Sequence, residues 1–294
     1  MRNITRRDFV RGTLGSVVAG SALTPAVAAA ACGTGAQRPP RSARVVLVRD
    51  EAVLNAAHDV DIACLDRMLA ETVTRMTGQK ASRAAWQSLF KPTDIVGLVT
   101  TPHLNPTHQE LADAVVKALV DAGIPRGQIV NAQGRIDKPR ACTALIALPA
   151  LKAHWLTGLG TVMKLYITYS DSPARYHNEH NADLAETWLL PGVKDKTRLV
   201  LVDALRPLCD KGPQPDPRYL WDYKGLIAST DPVAADAVGL QIITAKRKAL
   251  RGEDWPLSPP PLCVQMADEK FGLGTSRMSE IELVRAGWTA QALI

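Results

Sequence analysis

Six short, continuously apolar runs separated by amphipathic stretches constrain this chain more than any other feature. Val45-Val46-Leu47-Val48, Ile95-Val96-Gly97-Leu98-Val99, Gln128-Ile129-Val130-Asn131, Thr143-Ala144-Leu145-Ile146-Ala147-Leu148, Arg198-Leu199-Val200-Leu201-Val202-Asp203 and Gly225-Leu226-Ile227-Ala228 are each four to six residues long. Runs of that length with no polar alternation read as strands buried on both faces. Leu65, Leu69, Val73 and Met76 recur at helical spacing, so a helix is expected over about 59–77, ending before Gly78. Thr107-His108-Gln109-Glu110 fits a capping box for a second helix. Leu111, Val115 and Ala118 form its stripe, and Gly123 and Pro125 stop it. Asp231-Pro232 opens a third helix running to about residue 250, and shorter helices are expected over about 262–271 and 277–287. The alternation predicts an α/β fold with a mostly parallel central sheet and helices on both faces, a three-layer αβα arrangement. Residues 45–294 read as one domain.

The N-terminus reads as a targeting segment. Thr5-Arg6-Arg7-Asp8-Phe9-Val10 is a basic patch, residues 12–22 are weakly apolar, and residues 26–31 are small. That order, with its paired arginines, predicts a twin-arginine signal over residues 1–31, delivery by the twin-arginine translocase and a periplasmic or extracytoplasmic location. The apolar zone is too short and too poor in Leu and Ile for a transmembrane helix. Ala26-Val27-Ala28 reads as an A-x-A cut. Ala29-Ala30-Ala31-Cys32-Gly33 loosely resembles a lipobox, which would instead attach a lipid anchor at Cys32. Residues 32–44, with Pro39-Pro40, read as a linker.

Charge adds little. Arg2, Arg6, Arg7 and Arg11 against Asp8 account for +3 of the formal +6, and no Lys/Arg-rich run follows, so nucleic-acid binding has no support. Beyond Cys32 the cysteines are Cys64, Cys142, Cys209 and Cys263, with no C-x-x-C among them. That pattern offers no ligand set for an iron–sulfur cluster or a zinc ribbon. Buried free thiols are expected.

Four constellations carry chemistry. In Pro149-Ala150-Leu151-Lys152-Ala153-His154, followed by Gly158, Gly160, Thr161 and Lys164, two lysines and a histidine fall on a Gly-bearing loop where the fourth strand ends. Such a loop suits an anion, phosphate or carboxylate, with Gly158 and Thr161 contributing and His154 as a proton-transfer group or a metal ligand. A turn with solvated lysines is the alternative. Tyr176-His177-Asn178-Glu179-His180 places two imidazoles where a divalent metal could bind, or is an exposed loop. Asp203 ends the fifth strand and either faces the ligand crevice or caps a turn. Ser229-Thr230-Asp231-Pro232-Val233-Ala234-Ala235-Asp236 is a helix start whose free amides suit an anion, with Ser229, Asp231 and Asp236 nearby, though an N-cap role explains Asp231 fully. His103 and His108 flank residues 104–107 and either join the site or, the favoured reading, pack at a helix start.

Together these segments resemble the domain-of-unknown-function family number 362. The residues that carry the resemblance are Pro149-Ala150-Leu151-Lys152-Ala153-His154, Gly158, Thr161, Lys164, His177, His180, Leu201-Val202-Asp203-Ala204, Gly212-Pro213 and the stretch from Ala228 to Asp236, with Trp86 and Phe90-Lys91-Pro92-Thr93-Asp94-Ile95-Val96-Gly97 as its N-terminal part. The resemblance spans about residues 45–275. Some members of that family carry a separate ferredoxin module, which has no counterpart here. Where the family often has Lys and Asn after the second strand, this chain reads Val99-Thr100-Thr101-Pro102, and the family's Lys-Asn pair is Lys164-Leu165.

Three roles fit these features. One is a metal- or anion-dependent enzyme in which Lys152 and Lys164 hold an anionic substrate, His154 moves a proton, and His177, His180 and Asp203 hold a metal. Another is a non-catalytic binding or accessory protein carrying a metal, cofactor or anion, which the lack of a Ser or Cys nucleophile elbow favours. Iron–sulfur electron transfer is the weakest for want of thiolates.

Overall fold

The computed structural model describes residues 42–294. The twin-arginine, cleavage-site and Cys32 expectations lie outside the described residues. The described residues form one compact unit, and its first strand, β1 (Ala43–Arg49), begins within the stretch expected to be linker.

The apolar runs are strands: β2 (Val96–Thr100), β3 (Ile129–Asn131), β4 (Ala144–Leu148), β7 (Thr197–Leu208) and β8 (Gly225–Ser229), joined by β5 (Ala150–His154), β6 (Gly158–Leu159) and β9 (Ile281–Gly287). The main sheet runs β3-β2-β4-β7-β8-β1-β9. β3, β2, β4 and β7 are parallel neighbours, as are β1 and β9, while β8 alone on this path is antiparallel to both its neighbours. The sheet is mostly parallel, and its central strands are mainly apolar because both faces are covered. Along β1, Val45 and Leu47 enter one core and Val46 and Val48 the other. Helices α1 (Ile62–Thr77), α2 (Ser82–Leu89) and α3 (Gln109–Asp121) cover the second face. On the first face lie α5 (Pro232–Arg251), α6 (Leu262–Glu269) and a series of 3-10 turns within 165–189; a short α4 (Asp137–Ala141) leads into β4.

Local chemistry sets the helix ends. Asp61 accepts from Cys64 N at the start of α1, and Gly78 ends it in the left-handed conformation. Asp231 accepts from Val233 N and Ala234 N ahead of Pro232, so α5 starts where the sequence predicts.

Two expected elements differ. The helix expected over about 277–287 is a single 3-10 turn followed by β9, which pairs parallel to β1 from Ala43↔Ile281 to Arg49↔Gly287. Ile281 and Leu283 pack on one core and Val284 and Ala286 on the other. A short apolar segment has no preference strong enough to resist an open sheet edge beside it. Residues 150–154, read as a loop, form β5. Pro149 interrupts β4, and the chain resumes alongside the far half of β7, from Ala150↔Asp203 to Lys152↔Leu208. The long β7 accommodates both.

The four cysteines beyond Cys32 are buried and unbridged. Among the described residues no helix is long and apolar enough to cross a membrane.

Candidate functional site

β5 is the floor of the site. Side chains on a strand alternate, so Leu151 and Ala153 enter the core while Lys152 and His154 share the opposite side. The hairpin to β6 turns at Gly158 (φ 72°), where a Cβ would lie 2.5 Å from Pro259 O. A side chain is thus excluded at Gly158 by the backbone it packs on. Gly160 lies against the His154 ring, its Cβ position 3.0 Å from that of His154. Thr161 Oγ1 accepts from Lys152 N (3.2 Å). Gly158 and Thr161 therefore build the hairpin that carries the two basic side chains.

Lys164 is aimed by a buried carboxylate of α5, in the same core as the turn it holds. Asp236, in the second turn of α5, is fully buried, and its two oxygens accept from Val162 N (2.8 Å) and Met163 N (2.7 Å). Burial raises the Asp236 pKa to about 7 against the pull of those two N–H groups. The turn fixed in this way delivers Lys164 to the same cavity as Lys152 and His154.

That cavity has a volume of about 170 Å³. Thr101, Pro102, His103 and Leu104 form one wall, beyond the carboxyl end of β2. Gln133 follows β3, and Leu165, Ile167, Thr168 and Pro213 complete the lining. No acid lines it. Pro213 is brought in by Gly212, whose Cβ position lies 2.0 Å from Ala153 O, so only glycine fits. A wider cleft of about 590 Å³ adjoins it and shares Thr101, Pro102 and Gln133.

The electrostatics follow from burial. Lys152 is 4% exposed, and its ammonium donates to Leu104 O (2.6 Å) and Asn105 O (3.0 Å). Both of those residues hold left-handed φ values of 56° and 64°. Uncommon for non-glycine residues, they are held here by the lysine. Desolvation lowers the Lys152 pKa to about 8. Desolvation also lowers Lys164 to about 8, with Lys152 adding repulsion. Lys164 Nζ donates to His177 Nε2 (2.9 Å). Among the described residues neither lysine has a carboxylate partner. His154 is pushed down to about 2, by desolvation first and then by Lys164, His177 and Lys152, and stays neutral. Its Nδ1 accepts from Leu156 N (3.1 Å), which leaves the ring proton on Nε2. The His154 and His177 rings lie 6.1 Å apart and nearly parallel. Burial and Lys164 lower the His177 pKa as well.

Of the residues singled out in the sequence, Lys152, His154 and Lys164 converge on one cavity, with Gly158 and Thr161 beneath them. His103 lines it too. The proposed metal set does not converge. Asp203 is 3% exposed and accepts from His108 N and His108 Nδ1, both at 2.7 Å, closing the start of α3. Burial opposes the His108 imidazolium, but the Asp203 carboxylate outweighs it and raises that pKa. His180 is exposed beside Glu179, whereas His177 is committed to Lys164. Among the described residues no three His, Cys, Asp or Glu side chains are grouped to hold a metal ion. Ser229, Asp231 and Asp236 do not line the cavity. Ser229 Oγ donates to Arg44 O and accepts from Asp231 N; Asp231 caps α5 and accepts from Thr275 N.

The capping box at residue 107 is also absent. Thr107 Oγ1 donates instead to Leu148 O (2.6 Å) and accepts from Thr101 N (3.0 Å), tying the end of β2 to the end of β4. Asp203 takes over at the helix start, so the Thr107 hydroxyl is free to hold the cavity wall.

Residues 124–241 match one family model, described as Domain of unknown function (DUF362). This segment is of that family. It contains every site residue named in the sequence, from Lys152 to Asp236, while the wall formed by residues 101–104 lies outside it. Thr101, Pro102 and Leu165 all line the cavity. No curated protein and no solved structure matches the chain.

Proposed function

We propose that the protein is an exported enzyme whose substrate is a small anion held in the Lys152–Lys164 cavity. The observation that carries this is two desolvated lysines lining one cavity that contains no acid. Burying two cations without a counter-charge is costly. An incoming carboxylate or phosphate would supply that charge through short, charge-assisted hydrogen bonds. The cavity is smaller than the about 300–1,000 Å³ typical for drug-sized ligands, which favours a compact molecule. Neutral His154, with its proton on Nε2, would donate to a substrate oxygen.

The test is calorimetric titration of the purified protein with malonate and with inorganic phosphate, repeated on Lys152→Met and Lys164→Met. Saturable binding that weakens about tenfold or more in each variant is expected. Binding that is absent, or equal in all three proteins, would sink the reading.

Binding without turnover is the second reading. It is favoured by two hydroxyls of the cavity, Thr101 and Thr161, being bonded to the backbone N–H of Ala150 and Lys152. Turnover of a bound anion would exclude it.

Export rests on Arg6-Arg7 and the small-residue run, with the twin-arginine translocase as the partner and the periplasm as destination, and with a lipid at Cys32 as the alternative ending. Replacing Arg6 and Arg7 with Lys and fractionating cells would retain the protein in the cytoplasm; unchanged export would refute this route.

A further inference from the structure

The two lysines of the cavity are not equivalent. Lys152 spends two of its three N–H donors on the carbonyls of Leu104 and Asn105, acceptors that cannot take a proton. Those two bonds hold its ammonium form in place. Lys164 donates to His177 Nε2, the acceptor nitrogen of a neutral imidazole, and that nitrogen can take the proton away. His177 is absent from the cavity lining and partly exposed, so a proton placed on it has a way out. An amine so placed, beside a fixed cation and out of water, is a nucleophile for carbonyl carbon.

We propose that Lys164 forms a Schiff base with a small keto acid whose carboxylate is held by the Lys152 ammonium. This rests on the anion reading above and names its substrate class. The low pKa that burial and Lys152 impose on Lys164 supports it.

The step balances without a further reactant. Lys164 gives one proton to His177 Nε2 and becomes an amine. Its lone pair forms the C–N bond as the carbonyl π bond breaks, and a second amine proton moves to the oxygen, giving a carbinolamine. His177 returns its proton to that hydroxyl, the C–O bond breaks, and water leaves an iminium on Lys164. Ammonium plus ketone becomes iminium plus water, with charge unchanged. His154 Nε2–H is the donor available to the carbonyl oxygen as it gains negative charge. In this scheme Lys164 is the nucleophile, and His177 is the acid–base group that takes and returns its proton.

The experiment is borohydride trapping with pyruvate on the full-length protein, followed by digestion and mass spectrometry. The expected result is one reduced pyruvyl group on Lys164. Lys164→Arg, which keeps the charge but is no nucleophile, loses the adduct while still binding malonate, which also shows that it folds. Lys152→Met needs about tenfold more pyruvate for half-maximal trapping, from the loss of a charge-assisted contact. His177→Gln moves the pH profile of trapping upward. An adduct spread over exposed lysines and undiminished in Lys164→Arg, or no adduct at all, overturns the inference. If malonate still binds in that case, the anion reading stands alone. If malonate fails to bind as well, both fall. A pH profile unchanged in His177→Gln removes His177 from the scheme.

Discussion

At the scale of single residues, the site is an arrangement of protonation states set by burial. Both lysines titrate near 8 rather than 10.5, because the fold desolvates them. An anion needs the ammonium forms, so its affinity is greatest below about pH 8 and falls as the pH rises through that value. Bound anion raises both lysine pKa values, so binding near pH 8 takes up protons. Titrations in two buffers of different ionisation enthalpy would measure that uptake, and a proton count of zero would contradict the assignment. The sign for stability is the reverse. A lysine whose folded pKa is depressed penalises the fold while it is charged, and the penalty is relieved as the pH rises from about 8 to 10.5. The stability gap between wild type and the Lys152→Met/Lys164→Met double variant should therefore change in favour of the wild type over that interval. A gap that stays constant with pH would count against the burial argument.

At the scale of elements, turns and helix starts do the positioning. Asp236 holds the 162–163 turn with both carboxylate oxygens. Asp236→Asn would set an amide N–H₂ against one of those N–H groups, costing about 1–3 kcal/mol and loosening Lys164. Denaturant unfolding should show that loss together with weaker malonate binding. Full stability in the variant would refute it. Asp231 belongs to the structural side alone: Asp231→Ala should cost about 1–2 kcal/mol through the lost cap of α5 and leave malonate affinity intact. Gly274→Ala would act on the same cap, since its Cβ would fall 1.8 Å from Asp231 Oδ1.

These elements also show what the chain discloses before it folds. Lys152, His154 and Lys164 were legible because they lie within thirteen residues on one strand and hairpin. The 101–104 wall and Gln133 were not, since parallel neighbours bring the ends of β2 and β3 beside β4 only through crossovers. The one available signal was their place at carboxyl ends of strands. Thr107 carried a sound local capping pattern, and a tertiary carboxylate, Asp203, displaced it. For residues 277–287 the composition suited a helix or a strand, and the vacancy beside β1 decided. The proposed metal set failed for a different reason: spacing along a loop says nothing of which imidazole turns inward, and only His177 does.

At the scale of the molecule, the sheet is held across its width by a few buried polar joints. Asp94 lies just before β2 and accepts from Lys91 N, Thr143 Oγ1 and the Arg198 guanidinium, which comes from β7. Burial alone would raise its pKa, and the Arg198 bonds with the other donors lower it below 3.8. Its contribution is present above the ordinary carboxylate range and lost as the pH falls through the folded value. Asp94→Ala should cost about 3 kcal/mol, since it strands several donors at once, with the partial exposure of Arg198 limiting the loss. Equilibrium unfolding at pH 7 and at pH 3 would show the variant's deficit shrinking in acid. A deficit equal at both pH values would refute the role. The opposite face of that stability is the order of assembly. β2, β3, β4 and β7 follow one another along the chain and can meet as they are made, but β1 lies between β8 and β9, with Val45 opposite Ser229 and Ala43 opposite Ile281. The earliest of the described strands is thus among the last to find its neighbours. Until residue 281 has been synthesised its β9-facing edge stays unpaired, with Val45 to Val48 apolar between Arg44 and Arg49, which is the kind of surface that chaperones hold and proteases sample.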